Sequence, residues 1–279
     1  MHHSPSRDPL IHSDMVFELN KGGVVKKILV ATTTFLALAT TAFAADLPAA
    51  PYTKAPAFAP VLFSWTGCYV GVEGGGNWGQ SQQTARSGPN AGVPITGNFN
   101  LSGGIAGGTV GCNYQTSNFV FGIENDFSWT NKRGSAQDIL PFDPAFTSST
   151  REKWIDTLRG RVGFALDRFM VFGTAGAAFA GTDVTVSSPV FGTVTSAQTR
   201  TGWTAGVGGE WAALVESWGA VTLKVEYLHA DFGTKQYFAA PVMLGPANIA
   251  ARDVKLTDDM VRAGVNVKFN WGGPIISKY

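Results

Sequence analysis

The chain has 279 residues, of which 15% are charged, against about 25% in typical soluble domains. Its 21 lysines and arginines nearly balance 20 aspartates and glutamates, so the net charge of +1 gives no reason to expect a nucleic-acid partner. The longest apolar run beyond the N-terminal region, residues 169–181, is too short for a membrane-spanning helix, which needs about 20 residues. Any membrane crossing would therefore use strands.

The N-terminal region has the pattern of a secretory signal peptide. The basic pair Lys26-Lys27 precedes an apolar stretch, and Ala42-Phe43-Ala44 has the small-residue pattern of a cleavage site. We predict a signal peptide over residues 25–44 rather than a short buried helix. Residues 1–24 show no such pattern, so we expect translation to start at Val25 and the leader 1–24 to be wrongly assigned.

Two flanking segments enclose the main body of the mature chain. Residues 45–63 are rich in proline and alanine and are predicted to form an extended periplasmic tether, because proline cannot donate to a strand ladder. Residues 64–271 form the predicted membrane domain, and residues 272–279 follow it as a C-terminal tail.

The body consists of segments with strand character, separated alternately by very short and by long polar connections. The short connections are Gln115–Ser117, Asp167–Arg168 and Glu216–Trp218, and the long ones are residues 79–96, 131–150, 182–199 and 233–254. Outer-membrane barrels have short periplasmic turns and longer external loops. We therefore predict an all-β fold, an eight-stranded antiparallel transmembrane β-barrel. The predicted strands are Thr66–Trp78, Gly97–Tyr114, Asn118–Thr130, Arg151–Leu166, Arg168–Gly181, Arg200–Val215, Gly219–Phe232 and Lys255–Trp271.

Apolar and polar residues alternate along several of these strands, which is typical of strands with one apolar face. A soluble ligand-binding barrel has the same period with its polar face outward. Two features favour the membrane: the polar face is rich in small residues, and aromatic residues with polar edges lie near strand ends, as in an interfacial girdle. The predicted girdle residues are Trp65, Trp78, Tyr114, Trp129, Trp154, Trp203, Trp211, Tyr227 and Trp271.

Charged residues on the polar faces become neighbours inside a narrow barrel. The predicted network contains Glu73, Glu124, Asp126, Arg159, Arg161, Glu210, Lys224, Glu226, Arg262 and Lys268. Buried charges are tolerated when they are paired, and an eight-stranded barrel is just wide enough for its side chains to fill. We favour a side-chain-filled lumen over an ion-selective pore, which would need a wider barrel or a constriction of one charge sign.

Several segments resemble a known family. Residues 26–48, 65–71, 226–233 and 261–269 resemble the porin-like small outer-membrane barrels of alphaproteobacteria, which include major surface immunogens of brucellae and rhizobia. This resemblance implies an OmpA-type transmembrane domain, abundant in the outer membrane, with roles in envelope integrity and surface interaction and with no catalytic residues. A small diffusion pore is the alternative function.

Cys68 and Cys112 depart from the family pattern, which has aromatic residues at these positions. The two cysteines lie near the same end of neighbouring predicted strands, and the oxidising periplasm favours a disulfide between them. Against this, opposed strand positions have Cβ atoms about 4.5–5.5 Å apart, whereas a disulfide prefers about 3.8 Å. The alternative is two small hydrophobic residues that face lipid.

Few residues suggest chemistry. His229 is the only histidine of the predicted mature chain, and Tyr227 and Asp231, rather than a serine, lie two residues away. We therefore interpret His229 as an interfacial residue and predict no enzyme, no cofactor and no metal site. The expected partners are outer-membrane lipid, lipopolysaccharide and, through the last strand, the barrel-assembly machinery. An external ligand of the loops is left open.

Overall fold

The computed structural model describes residues 63–239, 242–245, 247–249 and 251–269. The predicted leader 1–24, the signal peptide 25–44, nearly all of the tether and the tail 272–279 lie outside these residues, and so does Trp271.

The described residues form strands joined by turns and irregular segments. These strands are β1 (Gly67–Ala85), β2 (Phe99–Thr116), β3 (Phe119–Thr130), β4 (Arg133–Gln137), β5 (Thr147–Leu166), β6 (Phe169–Ser188), β7 (Gly192–Glu216), β8 (Gly219–Tyr237), β9 (Val242–Leu244), β10 (Ala247–Ile249) and β11 (Arg252–Phe269). No helix long and apolar enough to cross a membrane occurs within this described part of the chain.

Eight long strands pair with antiparallel neighbours around a closed ring. Their order is β1-β11-β8-β7-β6-β5-β3-β2, and β2 pairs back with β1. Short strand β4 joins β2 and β5 at one end, while β9 and β10 form a separate two-stranded sheet. Closure satisfies the backbone groups of each long strand by pairing on both sides, which a lipid environment requires.

Two-residue turns close three hairpins at one end of the ring. They are residues 117–118, 167–168 and 217–218, which overlap the three short connections predicted from the sequence. We call this end the turn end and the opposite end the loop end. Ser117 and Asp167, the first residues of two of these turns, have left-handed φ values of 54° and 50°, a conformation that turns at such positions often require.

The strands place alternate side chains inside and outside the ring, as the sequence pattern predicts. In β3, Phe121 and Ile123 face outward and are exposed, whereas Glu124 and Asp126 face inward and are buried. Because successive strand residues point to opposite faces, the inward positions of all eight strands share one narrow interior.

Parts of all four long polar connections predicted from the sequence are strand. The predicted loop over residues 182–199 is wrong, because β6 and β7 continue as a hairpin whose turn covers residues 189–191. Here threonine and valine alternate, and Val184 and Val186 are buried while the polar residues between them face outward. Above a membrane the outward face meets water, so its polarity is compatible with a strand.

Glycine lets neighbouring strands approach closely where the wall curves. A Cβ added to Gly75 would lie 2.0 Å from the carbonyl oxygen of Val261 in β11, whereas one added to Gly74 would meet nothing closer than 3.5 Å.

We expect Gly75→Ala to lower the free energy of unfolding by roughly 1–3 kcal/mol, the usual cost of overpacking. Gly74→Ala is the matched control and should change it by less than about 0.5 kcal/mol. Urea titration of the detergent-folded protein measures both, and equal stabilities would contradict the close approach.

Candidate functional site

The interior of the ring holds a continuous network of charged side chains. Five carboxylates and four cationic groups meet there, and no more than 3% of any of these side chains is exposed. The strands bring together nine of the ten predicted network residues: Glu73, Glu124, Asp126, Arg159, Arg161, Glu210, Lys224, Glu226 and Arg262. The strand period places these residues on one face of each strand, and their burial shows that this face points inward.

Arg159 of β5 joins carboxylates from two other strands. Its guanidinium is 2.6 Å from Glu124 and in contact with Asp126, both on the adjacent strand β3. The same guanidinium is 2.9 Å from Glu226 on β8, which lies three places away in the ring. A planar guanidinium has five donors in a fixed geometry, so one arginine can hold several carboxylates at once.

Arg262 of β11 is the second centre of the network. It contacts Glu73 on β1, and its other terminal nitrogen is 2.7 Å from Glu226 and 3.1 Å from Asp126. The carboxylate of Asp126 is therefore shared by Arg159 and Arg262. Each buried charge has opposite charges beside it, which is the condition for keeping ions away from water.

Lys224 closes the interior across its full width. It belongs to β8, and its Nζ atom is 3.0 Å from Glu124 of β3. In the ring order β8 and β3 are separated by three strands on either side, so they face each other across the interior. Lys224 and Glu124 thus connect opposite walls of the described ring.

Arg161 extends the network toward the turn end. Its guanidinium is 2.7 Å from Glu210 on β7 and 2.8 Å from the Tyr69 hydroxyl on β1. Its central carbon also lies 4.2 Å from the ring centroid of Phe172, a cation–π contact. The Tyr69 hydroxyl donates to Glu124, which links this part to the main network.

Lys268, the tenth predicted network residue, is buried near the turn end of the ring. Its Nζ atom donates to the backbone carbonyl of Ser64 at 2.6 Å and lies 5.1 Å from the ring centroid of Phe63. It therefore helps to hold the segment that precedes β1 against the turn end of the ring.

A second charged cluster, not found by the sequence analysis, lies in the interior nearer the loop end. Lys132 contacts Asp258 and is 3.1 Å from Glu152, and all three side chains are fully buried. Lys132 falls in a predicted loop. Glu152 was missed because an irregularity in the β5–β6 pairing between Glu152 and Trp154 shifts the alternation of faces.

Apolar side chains fill the interior beside the two charged clusters. Strands β2, β5, β6, β8 and β11 contribute inward residues that form one packed cluster. Its members include Phe99, Leu101, Ile105, Ile155, Leu228, Phe232, Leu256 and Met260. The interior is thus packed with side chains of both kinds.

A polar cluster lies at the loop end, above these layers. Arg252 donates to Gln83 at 2.9 Å and to the Ser148 hydroxyl at 2.7 Å, and that hydroxyl donates to Asp138 at 2.6 Å. Burial raises the pKa of the Asp138 carboxyl, against the opposing effects of Ser148 and Arg252.

Three carboxylates of the main network offer the geometry of a metal site. Oxygen atoms of Glu73, Asp126 and Glu226 lie within 4.8 Å of one another. Arg262 contacts all three residues, and Lys224 is 3.2 Å from Glu226. These cationic side chains already occupy the position of a metal ion, so the donor set is better suited to internal ion pairs.

The outward face carries a broad apolar surface with aromatic residues toward its two ends. Val72 and Ile123 are 66% and 65% exposed, and a contiguous exposed apolar surface of this kind marks contact with lipid or with another protein. Of the predicted girdle, the following side chains face outward and are at least partly exposed: Trp78, Tyr114, Trp129, Trp154, Trp203, Trp211 and Tyr227.

Trp65 does not belong to this girdle, contrary to the prediction. It is fully buried against Val120, Met170 and Phe172, and its indole nitrogen donates to the carbonyl of Asp167 at 3.0 Å. The residue precedes β1, and the chain there turns inward, so the indole closes the turn end. Burial of its large apolar surface, with its one donor satisfied, explains this position.

Cys68 and Cys112 form a disulfide between β1 and β2. They are directly opposed in the strand register, with Cα atoms 3.9 Å apart. The structure thus contains the bridge, the first of the two alternatives raised by the sequence.

His229 lies on the outward face beside an acidic residue of the neighbouring strand. Its Nδ1 atom is 2.9 Å from Asp259, which also accepts a 2.6 Å hydrogen bond from the Tyr227 hydroxyl. Within the described chain, no serine, threonine or cysteine side chain is hydrogen-bonded to the His229 ring. The position, near the Trp203 ring at 5.6 Å, is consistent with the predicted interfacial role.

The closed ring and its outward apolar face agree with the sequence relationships. The sequence matches the outer membrane protein beta-barrel domain over residues 31–269. The chain belongs to this family. It is similar to the 31 kDa outer-membrane immunogenic protein of Brucella melitensis biotype 1, with 32% identity over 245 residues, 83% of this chain and 95% of the relative.

Two further relatives are also named as outer-membrane proteins. The 25 kDa outer-membrane immunogenic protein of Brucella abortus biovar 1 is 29% identical over 88% of this chain and 99% of its own length. The 22 kDa outer membrane protein of Rhizobium leguminosarum bv. viciae is 28% identical over 62% of this chain and 67% of its own. The outer membrane is therefore the location of this protein, and the family resemblance predicted from the sequence is confirmed.

Proposed function

We propose that this outer-membrane protein is an eight-stranded transmembrane β-barrel that supports envelope integrity and presents a surface for interaction, with a lumen closed by its own side chains. The turn end lies in the periplasm, and the loop end lies outside the cell. Short periplasmic turns and longer external connections are usual in such barrels and support this orientation.

The contact between Lys224 and Glu124 is the main observation that supports a closed lumen. These residues come from opposite walls and meet at 3.0 Å, and Arg159 and Arg262 link the adjoining strands at the same level. A diffusing solute would have to break several buried ion pairs to pass. That is a large free-energy barrier, because each buried charge would lose its partners.

The proposal assigns no enzymatic role. His229 pairs with Asp259, and an activated nucleophile would need a hydroxyl or thiol within hydrogen-bond reach of the base. The relatives named as immunogenic outer-membrane proteins support a role at the cell surface.

Lipid and the assembly machinery are the proposed partners. Outward residues of β11, among them Val261, Val265 and Phe269, are exposed and apolar, as expected for a last strand that is inserted next to lipid. The net charge of +1 does not favour nucleic acid.

Conductance in planar lipid bilayers tests the closed lumen. Purified, refolded protein should produce no regular conductance steps. Electrophoresis of an unheated sample is the control that this protein is folded. A wide trimeric porin in the same bilayers is the positive control, and a heated sample of the same preparation controls for contaminants. Uniform ohmic steps from the folded protein alone would favour the diffusion pore instead.

A further inference from the structure

An outward groove at the loop end carries positive charge. The groove has a volume of about 420 Å³ and lies on the outer surface of β4, β5, β6 and β7, outside the interior network. Its lining consists of Arg133, Gly134, Ser135, Ser149, Thr150, Arg151, Asp183, Thr185 and Thr195. Thr150 points inward, where its hydroxyl is 3.2 Å from that of Ser81, and none of the other lining residues belongs to the interior network.

Two arginines face each other in this groove. Arg133 of β4 and Arg151 of β5 are directly opposed in the strand register, and both are exposed. Among the described residues, neither guanidinium has a carboxylate within 4.0 Å. The one acidic residue of the lining, Asp183, is opposite Arg151 in the β5–β6 register, but its carboxylate is 3.0 Å from Lys153. Like charges directly opposite destabilise a strand pair, so an anion bound between them would relieve the repulsion.

Hydroxyl groups lie beside the two arginines. Ser135 and Ser149 are opposed on β4 and β5, two register positions from the arginine pair and on the same face. The hydroxyls of Thr185 and Thr195 are 2.9 Å apart on β6 and β7. Two guanidinium groups and neighbouring hydroxyls are the donors that a phosphate group requires, since its oxygens accept several hydrogen bonds and guanidinium binds it in bidentate fashion.

The position along β5 indicates which phosphate can reach the groove. Arg151 lies three residues beyond the outward Trp154, toward the loop end, and the irregularity between them brings the distance along the strand to less than about 10 Å. Aromatic residues such as Trp154 mark the boundary of the hydrocarbon layer. The polar headgroup layer extends about 5–8 Å beyond that boundary, and a tilted strand shortens the vertical distance, so Arg151 lies at headgroup height.

We propose that this groove binds a phosphate group of a phosphorylated glycolipid in the outer leaflet, with Arg133 and Arg151 as the recognising residues. The site uses the orientation given under the proposed function, in which the loop end is external. It does not depend on whether the lumen conducts. A free phosphate ion has the same binding chemistry, and the experiment separates the two sources.

Native mass spectrometry in a nonionic detergent tests the site. The probes are diphosphorylated lipid A, the same lipid after removal of its phosphates, and inorganic phosphate. The diphosphorylated lipid should bind, and the combined variant Arg133→Gln/Arg151→Gln should weaken binding roughly 100-fold, about tenfold for each guanidinium. The dephosphorylated lipid should bind to the wild-type protein and to the double variant with the same low affinity. Added salt should reduce the difference in affinity between wild type and double variant for the diphosphorylated lipid.

Arg86→Gln is the matched control, because Arg86 is an exposed arginine at the loop end that pairs with Asp253 outside the groove. It should change lipid affinity less than threefold, roughly. Mobility of unheated samples in electrophoresis shows that each variant is folded. Equal affinity of the wild type and the double variant would overturn the proposal. So would equal binding of the dephosphorylated lipid, or complete displacement of the lipid by millimolar phosphate, which would indicate a free-anion site.

Discussion

Replacement of Arg262 by alanine is expected to lower the free energy of unfolding by roughly 3–5 kcal/mol, the usual cost of breaking a buried ion pair. The guanidinium contacts Glu73, Asp126 and Glu226, and its removal leaves their buried negative charges with less compensation. Urea titration of the protein folded in detergent or lipid, followed by tryptophan fluorescence, measures the change.

Arg168→Ala is the control for this experiment. Arg168 lies exposed in the two-residue turn 167–168, so its loss should change the free energy of unfolding by less than about 0.5 kcal/mol. Arg262→Lys should fall between the two variants, because an ammonium retains the charge but not the fork of donors. If Arg262→Ala and Arg168→Ala are equally stable, the network is open to water and the lumen is not packed.

Removal of the disulfide is expected to have an effect of similar size. The bridge joins residues 44 positions apart, and the chain-entropy relation assigns roughly 4 kcal/mol to a loop of that length. The combined variant Cys68→Ala/Cys112→Ala should therefore unfold at a clearly lower urea concentration than the wild-type protein.

A reducing agent provides the matched comparison for the disulfide. Reduction should lower the stability of the wild-type protein toward that of the double variant and leave the double variant unchanged. Mass spectrometry after alkylation without reduction should find neither thiol modified. Two alkylated cysteines in the folded protein would contradict the bridge.

The position of Trp65 shows where local sequence is insufficient. Its sequence context, an aromatic residue just before a strand, is the same as that of an interfacial residue, yet the side chain closes the turn end. Only the path of the chain before β1 decides between the two positions. The same holds for Lys132, which the sequence analysis places in a loop and which lies in the interior of the structure.

The sequence by itself predicted the central part of each long strand, the two faces of several of them, the positions of three short turns and nine charged residues of the interior. These features follow from side chains that alternate with a period of two, which each strand carries locally. The tertiary structure decided how the charges pair, since Lys224 and Glu124 belong to strands that meet only across the closed ring. It also decided where the alternation shifts, as at Glu152, and that Arg133 and Arg151 face each other. Ring closure and strand register depend on distant partners, and no local pattern contains them.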